Sequence, residues 1–150
     1  MKIEFRDAKA DDFGRCVEIR GMTRDNQIPA DILEEIGVTE EAWVPLIKNK
    51  SVIGVVSESS EGVVGFCNGD VATGEVLVLA LLPDYEGLGL GKRMLSLVTD
   101  KLLSFGLEKL WLAASPNPEI RAHGFYRHLG WVPSGVIDKY GDEVLEYEKT

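Results

Sequence analysis

Cysteine is scarce in this 150-residue chain: Cys16 and Cys67 are its only two. They show neither metal-ligand nor redox spacing, so each reads as a small reduced core residue, and no metal is expected. No window reaches 18 apolar residues, so a membrane-spanning helix is not expected. The opening MKIEFRDAKADD carries no apolar signal core, which makes a cytoplasmic protein the expectation. Basic residues are outnumbered, 16 against 25 acidic, for a net charge of -9. Nucleic-acid binding wants a basic face, so no nucleic-acid partner is expected, and the acidic balance suits a cationic one better. Repeats, linkers and low-complexity segments are also missing, so residues 1–150 read as one domain.

What is present is concentrated in Gly74 to Arg93, GEVLVLALLPDYEGLGLGKR. Glu75 to Leu82 is short and apolar, as a strand buried on both faces would be. Pro83-Asp84 stops it. Gly87, Gly89 and Gly91 then alternate with other residues and open a helix. Glycines so spaced let a ligand approach the backbone, and the helix start adds unpaired N–H groups and a positive dipole end. The combination suits an anion such as phosphate. A dinucleotide fingerprint would need glycine where Lys92 stands, and a Walker A loop would need Ser or Thr in place of Arg93. A methyltransferase-like loop needs several further strand–helix units, and the remaining residues (about 60) are too few at roughly 30 per unit. The alternative to an anion site is a glycine-rich turn with no ligand.

The rest of the chain surrounds this stretch. Residues 2–6 alternate as a strand. Asp11-Asp12 are expected to cap a helix running to about Thr23, with Phe13, Cys16, Val17 and Ile19 at helical spacing. A short helix through Ile32, Leu33 and Ile36 ends at Gly37, and Thr39 opens another in which Pro45 is tolerable if it lies in about the first turn. Val52 to Ser57 and Gly62 to Asp70 form a hairpin. The helix after the glycine loop buries Leu90, Met94, Leu97, Val98 and Leu102. Lys109 to Ala114 is a strand parallel to the first, because a helix separates them. Glu119 to Leu129 is helical, and two strands close the chain. The fold class is α/β, a mixed central sheet of about six or seven strands flanked by helices.

Two segments then carry a specific likeness. Residues 81–92, LLPDYEGLGLGK, resemble the acetyl-CoA signature of the GNAT superfamily of N-acetyltransferases, Arg/Gln-x-x-Gly-x-Gly/Ala, on Glu86, Gly89 and Gly91. Asn117 and Ala122 to Trp131, AHGFYRHLGW, resemble the segment that follows it in that family. The resemblance implies a GNAT-like sheet whose central parallel strands splay apart, with acetyl-CoA as co-substrate and an amine as acceptor. It implies that the amides of Gly87, Leu88, Gly89, Leu90, Gly91 and Lys92 hold the pyrophosphate. Leu79, Ala80 and Leu81 would pair with the pantetheine arm, one of their N–H groups polarising the thioester carbonyl. Phe125 and Asn117 would adjoin the cofactor, although Asn117 between two prolines also reads as a turn or cap residue.

Tyr126 takes the place of the acid that protonates the departing thiolate, as a phenol of pKa about 10 can. Glu75 takes the place of a general base, with water or Asp70 as rivals. Direct transfer is implied, without a covalent step through Cys16 or Cys67. The acceptor pocket draws on Arg24, Asn26, Trp43 and Tyr140, and a homodimer accords with the family. Glu86 stands where the family has Arg or Gln and is expected to point to solvent. The competing reading is a non-catalytic acyl-CoA-binding module of the same fold.

Overall fold

The computed structural model describes residues 2–24 and 27–148. Four strands form one antiparallel sheet in chain order: β1 (Glu4–Asp7), β2 (Val52–Ser59), β3 (Gly62–Asp70) and β4 (Val76–Leu81). Valine-rich β2 and β3 are buried on both faces along most of their length, which favours branched side chains on a pleated surface. Their turn is tight: Ser59 Oγ accepts the Glu61 N–H at 3.1 Å, and Gly62 takes a φ of +108°, a conformation that favours glycine.

Helices cover the two faces. On one side lie α1 (Phe13–Arg20), α2 (Ala30–Glu35) and α3 (Glu40–Lys48). Ile19 of α1 is fully buried with Val56, Phe66 and Ala80. On the other side lies α4 (Leu90–Ser104), whose Met94, Leu95, Val98 and Leu102 enter the main core with Val55, Cys67 and Val76. Leu95, rather than the expected Leu97, completes the buried face; Leu97 is only half-buried. The helix comes so close to β3 that a Cβ on Gly69 would lie 2.7 Å from Leu102 Cδ1.

β5 (Lys109–Ala114), α5 (Arg121–His128), β6 (Val132–Ile137) and β7 (Glu143–Glu148) complete the chain. The expected single sheet is in fact two: β5, β7 and β6 pair antiparallel in a sheet of their own. β4 and β5 do run parallel, as their helical crossover dictates, but they meet in one bridge, Glu75 to Trp111. Trp111 secures that junction twice. Its N–H donates to Gly74 O at 3.1 Å and its indole N–H to Thr73 O at 3.2 Å. Beyond the bridge the strands part, so the splayed pair is present. The core continues beneath it through Leu110, Leu112, Trp131 and Leu145.

Three local expectations fail for identifiable reasons. Asp12 does not cap α1 with its side chain; its carboxylate accepts two Arg6 hydrogen bonds at 2.9 Å and the Lys9 N–H at 2.8 Å. Those partners hold residues 10–12 in a 3-10 turn ahead of the helix, and α1 stops at Arg20 before Gly21 rather than at Thr23. Thr39 does cap α3, its Oγ1 accepting the Ala42 N–H at 3.2 Å, but Pro45 falls in the second turn of that helix, where no N–H is available for the preceding turn's carbonyl. Met94, with none of its surface exposed, sits where α4 meets the sheet. Met94→Ala is expected to lower stability by about 2–5 kcal/mol, read from urea unfolding midpoints; a loss below about 1 kcal/mol would mean the α4 interface collapses around the void.

Candidate active site

The separation of β4 from β5 leaves one edge of β4 without a strand partner. The Leu82 N–H donates to Val64 O at 2.9 Å, which fixes the phase of the β3–β4 ladder. Antiparallel residues alternate between exchanging hydrogen bonds with the opposite strand and turning away from it. With Leu81 opposite Gly65 and Ala80 opposite Phe66, Ala80 gives its backbone to β3. Leu79 and Leu81 turn their N–H and C=O groups into the gap. The ladder also skips Leu77, since Asn68 faces Val78 and Gly69 faces Val76. This one-residue bulge bends β4 at the mouth of the gap.

The glycine loop continues from the same edge. Gly87 and Gly89 adopt φ of +78° and +79°, and a Cβ on either would meet nothing within 4 Å. The backbone conformation therefore requires glycine there, not crowding. Gly89 is the N-cap of α4. Arg93 donates to Gly89 O at 3.1 Å, whereas no backbone N–H from Gly87 to Lys92 donates to another described residue. These orphan donors lie at the positive end of a 15-residue helix, an arrangement suited to an anion. Leu88, Lys92 and Arg93 are exposed, while Leu90 is buried and anchors the loop. The helix start lies against the site: a Cβ on Gly91 would make ordinary contact with Phe125 Cζ at 3.7 Å and Leu79 Cδ2 at 3.9 Å.

A cleft of about 700 Å³ runs along the gap. Its walls are the β4 edge from Glu75 to Leu81, the end of β5 from Leu112 to Ser115, the start of α5 with Tyr126, and the end of α1 with Arg20 and Thr23. Tyr126 is braced by edge-on contacts with Phe125 (5.2 Å between ring centres) and Trp131 (6.2 Å). Burial pushes its phenol pKa well up, the nearby Cys67 adds to that, and Arg20 opposes it. Glu75 is half-buried at the β4–β5 bridge; burial, and then Asp70, raise its carboxyl above the ordinary range. Burial likewise pushes the Cys16 thiol up to about 12 and raises that of Cys67, so neither supplies a thiolate at neutral pH. Asn117 is exposed, and its Oδ1 accepts the Glu119 N–H at 3.0 Å, an Asx turn leading into α5.

Arg24 and Tyr140 line the cleft. Trp43 instead lines a second cavity beneath α1 to α3, and Asn26 lies outside the described residues. Among the described residues no group of His, Cys, Asp or Glu is arranged to hold a metal.

Glu86 does not point to solvent. Its carboxylate accepts from Arg24 Nε at 2.9 and 3.3 Å and from Arg121, and only 17% of its side chain is exposed. Through it, the segment after α1 and the start of α5 are tied to the residue that opens the glycine loop. Arg20, Thr23 and Arg121 are site residues the sequence reading missed. One signal was available: Arg20 continues the apolar stripe Phe13, Cys16, Val17 at i+7, where a charge is out of place. Thr23 is buried in the cleft wall and its Oγ1 lacks a hydrogen-bond partner. No comparable signal marks Arg121.

Known proteins share this fold. The model of the acetyltransferase (GNAT) family matches residues 4–131. Mycothiol acetyltransferase of Beutenbergia cavernae is 35% identical over 72 residues, covering 48% of this chain and 24% of that protein. The chain spans about a quarter of the length of that curated relative. PaiA N-acetyltransferase from Thermoplasma acidophilum, solved in complex with coenzyme A, superimposes with a TM-score of 0.80 at 18% identity, covering 99% of this chain and 100% of that one. YncA from Salmonella typhimurium, solved with its cofactor acetyl-CoA, gives 0.69 at 18% identity over 99% of this chain and 94% of the other.

The Glu86 cluster generates a prediction of its own. Both arginines are more than half exposed, so solvent screens the pairs and each contributes modestly. Glu86→Gln is expected to lower stability by about 1 kcal/mol at low salt and by less in 1 M NaCl. Equal denaturation midpoints for the two proteins at low salt would show that the clamp does not operate in solution.

Proposed function

The chain belongs to the acetyltransferase (GNAT) family, and we propose that it is an acetyl-CoA-dependent N-acetyltransferase that passes the acetyl group directly to a primary amine of a small molecule or peptide. The observation that carries this reading is a pair of neighbouring sets of unpartnered backbone donors, Leu79 and Leu81 in the gap and the orphan amides of Gly87–Lys92 at the start of α4. Those groups suit, in sequence, the amide-bearing arm and the pyrophosphate of coenzyme A. The CoA and acetyl-CoA bound in PaiA and YncA support the same ligand here.

In the reaction, the uncharged amine nitrogen attacks the thioester carbon and the C–S bond breaks. The outward N–H of Leu79 or Leu81 donates to the carbonyl oxygen as negative charge develops on it. Glu75, directly or through water, takes the proton the amine must lose. Tyr126 gives its phenolic proton to the departing thiolate. Its raised pKa keeps that proton in place at neutral pH; a thiol, of pKa about 8.5, is the stronger acid, so the transfer is uphill, and Arg20, which opposes the rise, favours the phenolate it leaves. The inert cysteines favour direct transfer over an acetyl-enzyme.

Release of CoA thiol on mixing the protein with acetyl-CoA and a panel of primary amines tests the reading. Turnover of at least one amine is expected; a heat-stability shift with acetyl-CoA but no turnover on any would favour a binding module. Tyr126→Phe is expected to lower kcat by about 10²-fold with the acetyl-CoA KM within about threefold. An unchanged kcat would remove the acid role. A general base works only when ionised, so kcat/KM is expected to rise with pH along a limb whose midpoint lies above the ordinary glutamate value of about 4.3. Glu75→Gln is expected to abolish that limb and cost at least tenfold; a loss under tenfold assigns the proton to water or Asp70.

A further inference from the structure

Beneath α1, α2 and α3 lies a second cavity of about 230 Å³ that none of the chemistry above uses. It adjoins the reaction cleft, and Arg20, Ile28, Ile36, Leu77 and Val78 line both. Leu77, which the ladder skips, and Val78 directly precede the outward amide of Leu79, so the cavity wall lies beside the position assigned to the thioester. Resting on that assignment, we infer that the cavity is the acceptor-specificity pocket and that the acceptor is a primary amine carrying an apolar group the size of an aromatic ring or a branched alkyl chain.

The lining supports this choice of class. Phe13, Val17, Leu33, Trp43, Ile47 and Phe66 give the interior an apolar surface. Ile36, shared by cavity and cleft, is 63% exposed and leaves an apolar rim. About 150 Å³ of dry apolar space is enough for a benzene ring, so the cavity accommodates a ring and a short linker. Its charges oppose a polyamine. Among the described lining residues Asp12 is the one acid, and both of its oxygens are engaged by Arg6 and the Lys9 N–H. Lys9 and Arg20 also face the cavity. A second ammonium would meet the like charge of Lys9 and find the Asp12 carboxylate already engaged. The carboxylates of Glu75, Asp138 and Asp142 lie in the cleft instead, where the reacting nitrogen sits.

The test compares phenethylamine and isoamylamine with spermidine in the thiol-release assay. Either apolar amine is expected to exceed spermidine at least tenfold in kcat/KM. Val38→Phe, which fills the cavity from the loop after α2, is expected to raise the phenethylamine KM at least tenfold while the acetyl-CoA KM stays within twofold. Phenethylamine should also perturb tryptophan fluorescence in the unmodified protein and lose most of that signal in Trp43→Phe, a readout independent of turnover. Preference for spermidine, or a phenethylamine KM unmoved by Val38→Phe, overturns the inference alone if acetyl-CoA still shifts heat stability. Absence of that shift removes the underlying acetyltransferase reading and this inference with it.

Discussion

The structure depends on the parting of β4 from β5 after a single bridge. A continuous parallel ladder would have satisfied the backbone of both strands. Here it is interrupted, and the outward N–H and C=O groups of Leu79 and Leu81 are left to face a cleft. Leaving such groups without protein or water partners costs about 1–3 kcal/mol each, so the gap has to be held open by packing elsewhere. Trp111 pins the strands at the bridge, through its backbone to Gly74 and its indole to Thr73. Beneath the gap, Leu110, Leu112, Met94 and Trp131 form a continuous core joining the two sheets. A rigid core below and unsatisfied polar groups above make a site that is ready before any ligand arrives.

The glycine loop extends that readiness by a different device. Gly87 and Gly89 hold left-handed backbone conformations that turn successive amides outward, and α4 supplies its dipole at the same point. The helix start at Gly91 lies against Phe125 and Leu79, which brings the loop, the β4 edge and α5 together. Glu86 adds a charged tie from the loop to Arg24 and Arg121. The second tie on α5, from Arg127 to Glu143 of β7, fixes the helix that carries Tyr126 to the second sheet. The placement of Tyr126 and of the glycine loop thus follows from packing and ion pairs.

Features with a local cause were readable from sequence. The glycine spacing, the apolar β4 run and the Phe125-Tyr126 segment each act within a few residues of themselves, and they marked the loop that opens α4 and the tyrosine that lines the cleft. Properties set by distant partners were not readable. Nothing near Glu86 announces Arg24, 62 positions away, or Arg121, 35 positions away. Asp12 looked like a helix cap because the pattern is local, but Arg6 claimed its carboxylate. The division into two sheets is a matter of where β5 finds its hydrogen bonds, and it finds them in β7, more than thirty residues later. The Leu77 bulge and the cavity next to it likewise arise from tertiary fit rather than from periodicity.

The most direct test of the account is amide hydrogen exchange with and without acetyl-CoA. The amides of Leu79, Leu81 and Gly87 to Lys92 lack protein acceptors, so they are expected to exchange quickly in the free protein and to become protected together when acetyl-CoA is added. Ala80, already paired with β3, is expected to change little. Protection confined to other segments, or no change at these amides under saturating acetyl-CoA, would contradict the claim that the open edge of β4 and the glycine loop form one cofactor site.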